Sequence, residues 1–89
     1  MEYFKGTKGN WSYSKETGTI RGDGGLLAEL LINGSEDDNG ALMAAAPELL
    51  EALQLTEKAM AEGRNVTYPE WYGVINKARA AIHKALGKE

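Results

Sequence analysis

The sequence holds no cysteine. Disulfides and thiolate metal sites are thereby excluded, and stability has to come from packing or self-association. Histidine occurs once, as His83, which excludes the usual multi-histidine metal centre and any paired-histidine mechanism. No apolar run approaches the ~20 residues that a bilayer-spanning helix needs. The start, MEYFKGTKGN, has neither the basic and apolar regions of an export signal nor an arginine-rich amphipathic presequence. These absences predict a soluble, unexported protein with no membrane association. At 89 residues the chain is expected to form a single domain, near the size at which burial only just outweighs chain entropy.

The net charge is small, but the charges are segregated. The formal net charge is -3, of the wrong sign for a general nucleic-acid binder and too small for a nucleic-acid mimic. Residues 34–62 carry Glu36, Asp37, Asp38, Glu48, Glu51, Glu57 and Glu62 against Lys58 alone. Residues 63–89 carry Arg64, Lys77, Arg79, Lys84 and Lys88 against Glu70 and Glu89. An acidic segment followed by a basic one favours antiparallel packing of the two, head-to-tail association, or charged faces for partners.

Glycine is plentiful in the first third, and the pattern there has period two. NWSYSK alternates Trp11 and Tyr13 with serines, ETG marks a turn and TIR resumes an extended run, which reads as a β-hairpin. Asp23-Gly24-Gly25 marks a second turn. The apolar run Leu26 to Ile32 then predicts a strand, with Leu26, Ala28, Leu30 and Ile32 on one side and Leu27 and Leu31 on the other. The β-meander of two to three strands is thus expected over about 9–33.

From Ser35 the pattern turns helical. Ser35, Asp37, Asp38 and Asn39 can all cap a helix, and acids in a first turn suit its dipole. Leu42, Met43, Ala46, Leu49, Leu50, Leu53 and Met60 recur at three- and four-residue steps. Pro47 would break a continuous helix at a cost of about 3 kcal/mol but costs little as the first residue of a new one. A short helix from about Asp38 to Ala45, a bend, and a longer helix to Glu62 ended by Gly63 follow. After the loop at 63–66, Thr67-Tyr68-Pro69-Glu70 is a capping box with proline in the first helical position. The next helix is expected to bury Trp71, Val74, Ile75, Ala78, Ile82, Ala85 and Leu86, and to leave Gly73, Lys77, Ala80 and Lys84 opposite. The fold class is α+β: a small antiparallel meander, then a Pro-bent helix and a second helix packed as a helical hairpin over about 37–87.

Chemistry is hard to find in these residues. Gly18, Gly22, Gly24 and Gly25 lack the Lys-Ser/Thr ending and the strand-loop-helix setting of a phosphate loop, so hairpin turns explain them. Arg21-Gly22-Asp23 spells an integrin tripeptide by coincidence. Ser12, Ser14 and Ser35 have no base at a recognisable spacing. Glu36, Asp37 and Asp38 lack the alternate-residue spacing of a calcium loop. The expectation is of no catalytic residue, no metal and no cofactor. Partner binding is instead assigned to an acidic outer face: Glu36, Asp37, Asp38, Glu48 and Glu51, with Leu55 as an apolar residue among the acids. The basic row Lys77, Lys84 and Lys88, with Trp11 and Tyr13, is the alternative, a nucleic-acid contact that the overall charge disfavours.

NGALMAAAPELLEAL, Asn39 to Leu53, together with KARAAIHKALGK near the C-terminus, resembles a recurrent class of short phage and prophage proteins. Their corresponding segment is of the type Asn-Ala-x-Leu-Ile-Ala-Ala-Ala-Pro-Glu-Leu-Leu-Glu-Ala-Leu; here Asn39, Ala41, Leu42 and Ala44 to Leu53 match. Gly40 replaces the usual alanine and Met43 the usual isoleucine, from which a looser first helix is expected. The resemblance implies an accessory protein made in the cytoplasm of a bacterial host. It implies further a protein that binds and inhibits one host macromolecule, as anti-CRISPR and other anti-defence proteins do. A nucleic-acid-associated regulator and a homodimeric structural or assembly protein are the other readings.

Overall fold

The computed structural model describes residues 3–63 and 67–88. The loop expected at 64–66 lies outside the described residues. Three strands come first, β1 (Ser12–Ser14), β2 (Thr19–Gly22) and β3 (Gly25–Glu29), and three helices follow, α1 (Glu36–Ala44), α2 (Ala46–Glu62) and α3 (Tyr68–Ala85). The strands form an antiparallel meander in the order β1-β2-β3. The architecture is the expected α+β arrangement.

Turn chemistry sets the meander. Gly22 pairs with Gly25 across the two-residue turn Asp23-Gly24. Gly24 has φ 97° while no non-glycine residue among the described ones has positive φ, so of the two turn positions only the second uses the left-handed freedom of glycine, the pattern of a type II turn. Tyr13 pairs with Ile20, and Ile20 with Ala28. This row puts Ile20, the largest fully buried side chain, at the centre of the sheet. The ladder slips between Ile20 and Arg21, where Leu26 becomes the partner of Arg21 and Leu27 is the extra residue.

The third strand is shorter than its apolar run. Pairing stops at Glu29, and the amide of Leu30 then donates to the carbonyl of Gly18 at 2.8 Å. Leu31 and Ile32 therefore lie beyond the sheet, 85% and 90% exposed, and the alternation expected through Ile32 does not hold. Without a neighbouring strand there is no pleat to sort side chains into two faces.

Helix α1 packs on β1 and β2 as well as on α2 and α3. Its fit against the sheet depends on Gly40, which is buried, and a Cβ built there would overlap the Tyr13 ring. Glycine at this position is thus a packing requirement, and not the source of looseness expected from sequence. The bend falls where Pro47 predicts it. The Ala45 amide still bonds the carbonyls of Ala41 and Leu42, while the Ala45 carbonyl already accepts from the amide of Leu49 at 2.9 Å. One residue closes one helix and opens the next. Gly63, at φ 54°, ends α2. At the start of α3 the Thr67 hydroxyl accepts from the Glu70 amide at 3.4 Å and donates to the Glu70 carboxylate at 3.0 Å, the local lock read from the capping box.

Helices α2 and α3 pair antiparallel along a seam of small residues. Ala52 and Ala59 from α2 and Ala81 from α3 are buried, with Leu55, Val74, Ala78 and Ala85 partly covered beside them. The stripe expected to be buried on α3 is therefore split. Val74, Ala78 and Ala85 face α2, whereas Ile75, Ile82 and Leu86 face solvent. Alanines let the two backbones approach closely, and an adjacent stripe of larger side chains is then left outside the contact.

Gly40→Ala tests the α1 contact. Overpacking costs roughly 1–3 kcal/mol, against a helix-propensity gain of ~1 kcal/mol, so a net loss of up to about 2 kcal/mol is expected. A urea midpoint that rises would show that the Tyr13 ring yields freely.

Candidate functional site

Two groups of charged side chains stand out, a groove between α2 and α3 and the acidic start of α1. The groove follows from helical spacing. Positions one residue before the seam, Glu51 and Lys58 on α2 and Gly73, Lys77, Ala80 and Lys84 on α3, line one side of the hairpin. There Lys84 donates to Glu48 at 2.8 Å and to the backbone carbonyl of Trp11 at 3.1 Å. Lys77 donates to Glu51 at 2.8 Å. The two pairs differ in setting: the Lys84 and Glu48 side chains are 18% and 29% exposed, those of Lys77 and Glu51 58% and 59%. The Lys84 contact also ties the N-terminal segment to α3. Within that segment the Trp11 indole donates to the Thr7 carbonyl at 3.0 Å and meets Phe4 edge-on, and Thr7 and Trp11 both lie against Gly22 of β2.

These contacts redraw the acidic face read from sequence. Glu48 and Glu51 each pair with a lysine of α3, Glu48 partly buried and Glu51 still exposed. Leu55 is half-buried in the same groove beside Val74, so it is not an exposed apolar residue among acids. The reason is that the seam passes through positions 52, 55 and 59, which puts position 48 on the inner side of α2. Only Glu36, Asp37 and Asp38 stay together, in the first turn of α1. The alternative basic row is altered in the same way, since Lys77 and Lys84 are the cations of the two pairs.

The acids of α1 are partly engaged. The Glu36 carboxylate reaches back to the amides of Gly34 at 2.8 Å and Asn33 at 3.2 Å, and the Asn33 side chain accepts from the Ser35 amide at 2.9 Å. Ser35 occupies the N-cap position without a side-chain cap bond, so Glu36 supplies the closure. Its own backbone N–H and those of Asn33 and Gly34 hold the Glu36 carboxyl below the usual carboxylate value. Asp37 accepts from the Tyr13 hydroxyl at 2.8 Å. That hydrogen bond, with smaller contributions from desolvation and the charges of Asp37 and Glu36, pushes the Tyr13 phenol up to about 12. Asp38 is exposed. Next to these carboxylates in the chain lie Leu31 and Ile32, whose exposure the sequence reading missed. The only sequence signal for it is Asn33-Gly34, close enough to end a strand early.

Among the described residues no group of three or more histidine, cysteine, aspartate or glutamate side chains is placed to hold a metal ion. Among the same residues no helix is long and apolar enough to cross a membrane. His83 is exposed in the last turn of α3. In the groove each carboxylate that carries a lysine contact is a charge partner, and the second oxygen of Glu48 is buried without a hydrogen bond.

A sheet packed on α1, an alanine-seamed helical pair and an exposed acidic and aliphatic corner define a small α+β protein built around surfaces. The chain belongs to the family of Salmonella phage P22 protein Y8K6, which it matches over residues 1–89. It is thus a phage protein, the broad class that the resemblance implied. Comparison with curated proteins and with solved structures gives no match.

Two outcomes are expected from this geometry. Lys84→Met leaves a partly buried carboxylate unpaired and should lower stability by about 1.5–3 kcal/mol, whereas Lys77→Met should cost less than ~1 kcal/mol; denaturant melts of both variants compare them. Tyr13 should ionise well above the ordinary phenol value of about 10 in an absorbance titration and return toward it in Asp37→Ala. Because its folded value is the higher one, the contribution to stability is complete below pH ~10. It is lost as pH rises through about 12.

Proposed function

We propose that this phage protein is a non-enzymatic inhibitor that binds one protein of the bacterial host, within the host cytoplasm, and that the host's defence machinery is its target class. The observation that carries this reading is the corner where β3 leads into α1. Leu31 and Ile32, 85% and 90% exposed, stand directly before Glu36, Asp37 and Asp38. Aliphatic side chains this far out of the fold contribute nothing to its core, and they gain free energy only when something covers them. Flanking carboxylates add selectivity for a basic partner and speed its encounter. Glu48, Glu51 and Leu55 stand apart from this corner, along the groove with α3, where both glutamates pair with lysines.

A small protein of this kind acts by occupying a surface, and needs no reacting group of its own. The paired lysines of the groove argue against the nucleic-acid reading, because a phosphate would have to displace Glu48 or Glu51 to reach Lys84 or Lys77.

Affinity capture from a host lysate with the wild-type chain, followed by mass spectrometry, tests the proposal. One host protein in near-stoichiometric amount is expected, with recovery falling as salt is raised. Ile32→Ser combined with Asp38→Lys should abolish that recovery while leaving the helical circular dichroism unchanged. Recovery of the bait alone, or equal recovery by the variant, would overturn it.

A further inference from the structure

We infer that two copies of this chain associate through the outer face of α2 and α3, the four helices forming a bundle. The inference is independent of the host target and rests on a different surface.

Helical spacing defines the face. One residue after each seam position come Leu53 and Met60 on α2 and Ile75, Ile82 and Leu86 on α3, after Ala52, Ala59, Val74, Ala81 and Ala85 respectively. In an antiparallel pair these positions lie together, on the side of the hairpin opposite the groove that holds the two ion pairs. The sheet does not cover them, because it packs on α1. Leu53 is 71% and Met60 68% exposed, and Ile82 and Leu86 are at least half exposed. Trp71 continues the stripe at the end where Tyr68, Tyr72 and Ile75 surround a hollow. The chain thus places alanine in its own helical seam and keeps its larger aliphatic residues on the neighbouring stripe. Steps of four and three residues, as in Leu49, Leu53, Thr56 and Met60, are those of a helix that packs on a second neighbour as well as the first.

The exposed surface and the chemistry of the face argue for a second copy as the occupant. A compact protein of this chain's 9.6 kDa exposes about 5,100 Å², whereas this chain exposes 6739 Å². The radius of gyration is 15.1 Å, against about 12 Å for a compact chain of this length. The excess of about 1,600 Å² is spread over the whole chain; if this face accounts for half of it, a second copy would bury about 1,600 Å² in total, the standard size of a specific interface. The face is also suited to meet itself. A two-fold interface sets the same patch against its copy, so a charged centre would repel, whereas an apolar centre is self-complementary. The charges at its margin, Glu57 on α2 and Arg79 on α3, have opposite signs. The extended helices, 17 and 18 residues long, match each other in length as a bundle requires.

Analytical ultracentrifugation of the pure protein, without host material, tests this separately from the proposed function. A dimer mass is expected at micromolar concentration. Leu53→Glu with Ile82→Glu should give a monomer, and Leu31→Glu with Ile32→Glu, equally exposed but off the face, should leave the dimer intact. Because the first variant could also unfold, the cysteine-free background supplies a second measurement. Spin labels on Glu57→Cys and on Arg79→Cys should each report a distance between copies within about 30 Å, two to three helix diameters. A monomeric wild type, a dimer dispersed by the Leu31 and Ile32 changes, or labels that report no distance between copies would overturn the inference.

Discussion

Alanine at positions 52, 59 and 81 sets how closely α2 and α3 approach, and that approach decides which side chains can be inside. Three methyl groups leave room for the backbones to come together but not for a leucine or isoleucine between them. The flanking positions are then assigned by rotation about each helix. On one flank lysines meet glutamates, and on the other the larger aliphatics remain uncovered. The burial that usually stabilises a domain comes here from few atoms, since among the described residues Ile20 is the one large side chain buried nearly completely. A chain with so thin an interior is close to the size limit at which a fold stands alone.

Much of the chain's local structure was legible because it is specified by neighbours in sequence. Thr67 and Glu70 are three residues apart and lock the start of α3; Pro47 opens α2; Gly63 closes it; Asp23-Gly24 turns the meander. The segregated charges of the two helical segments also anticipated their antiparallel pairing, which Glu48–Lys84 and Glu51–Lys77 realise. The choice between two adjoining stripes was not legible. On α3, Val74, Ala78, Ala81 and Ala85 form one repeat, and Ile75, Ile82 and Leu86 form another one residue away. Periodicity sees both as a single broad apolar face. Hydrophobicity favours the larger residues, whereas the requirement for close approach selected the smaller ones.

The contacts made by the acids were legible only in part, for the same reason. A carboxylate on a helix reads as surface until something 26 or 36 residues away reaches it, and such pairings leave no local pattern. Glu36, Asp37 and Asp38 kept their place because their roles are local or involve one neighbouring strand. Gly40 is the opposite case. By propensity it weakens α1, but the ring of Tyr13 needs the space, and the same ring then hands its hydroxyl to Asp37. The helix and the sheet are joined by a missing side chain on one side and a hydrogen bond on the other.

The junction at Ala45 joins two helices without a spacer, and this makes it a phase marker for everything that follows. Each residue turns a helix by about 100°, while the seam and the exposed stripe differ by a single position. One residue removed beside Ala45 would leave every helix intact by composition and capping. It would nonetheless present Leu53 and Met60 to α3 where Ala52 and Ala59 now lie, and exchange the inside of the pair for its outside. The length of the elbow, more than the identity of any one side chain in it, is what keeps the aliphatic stripe outward.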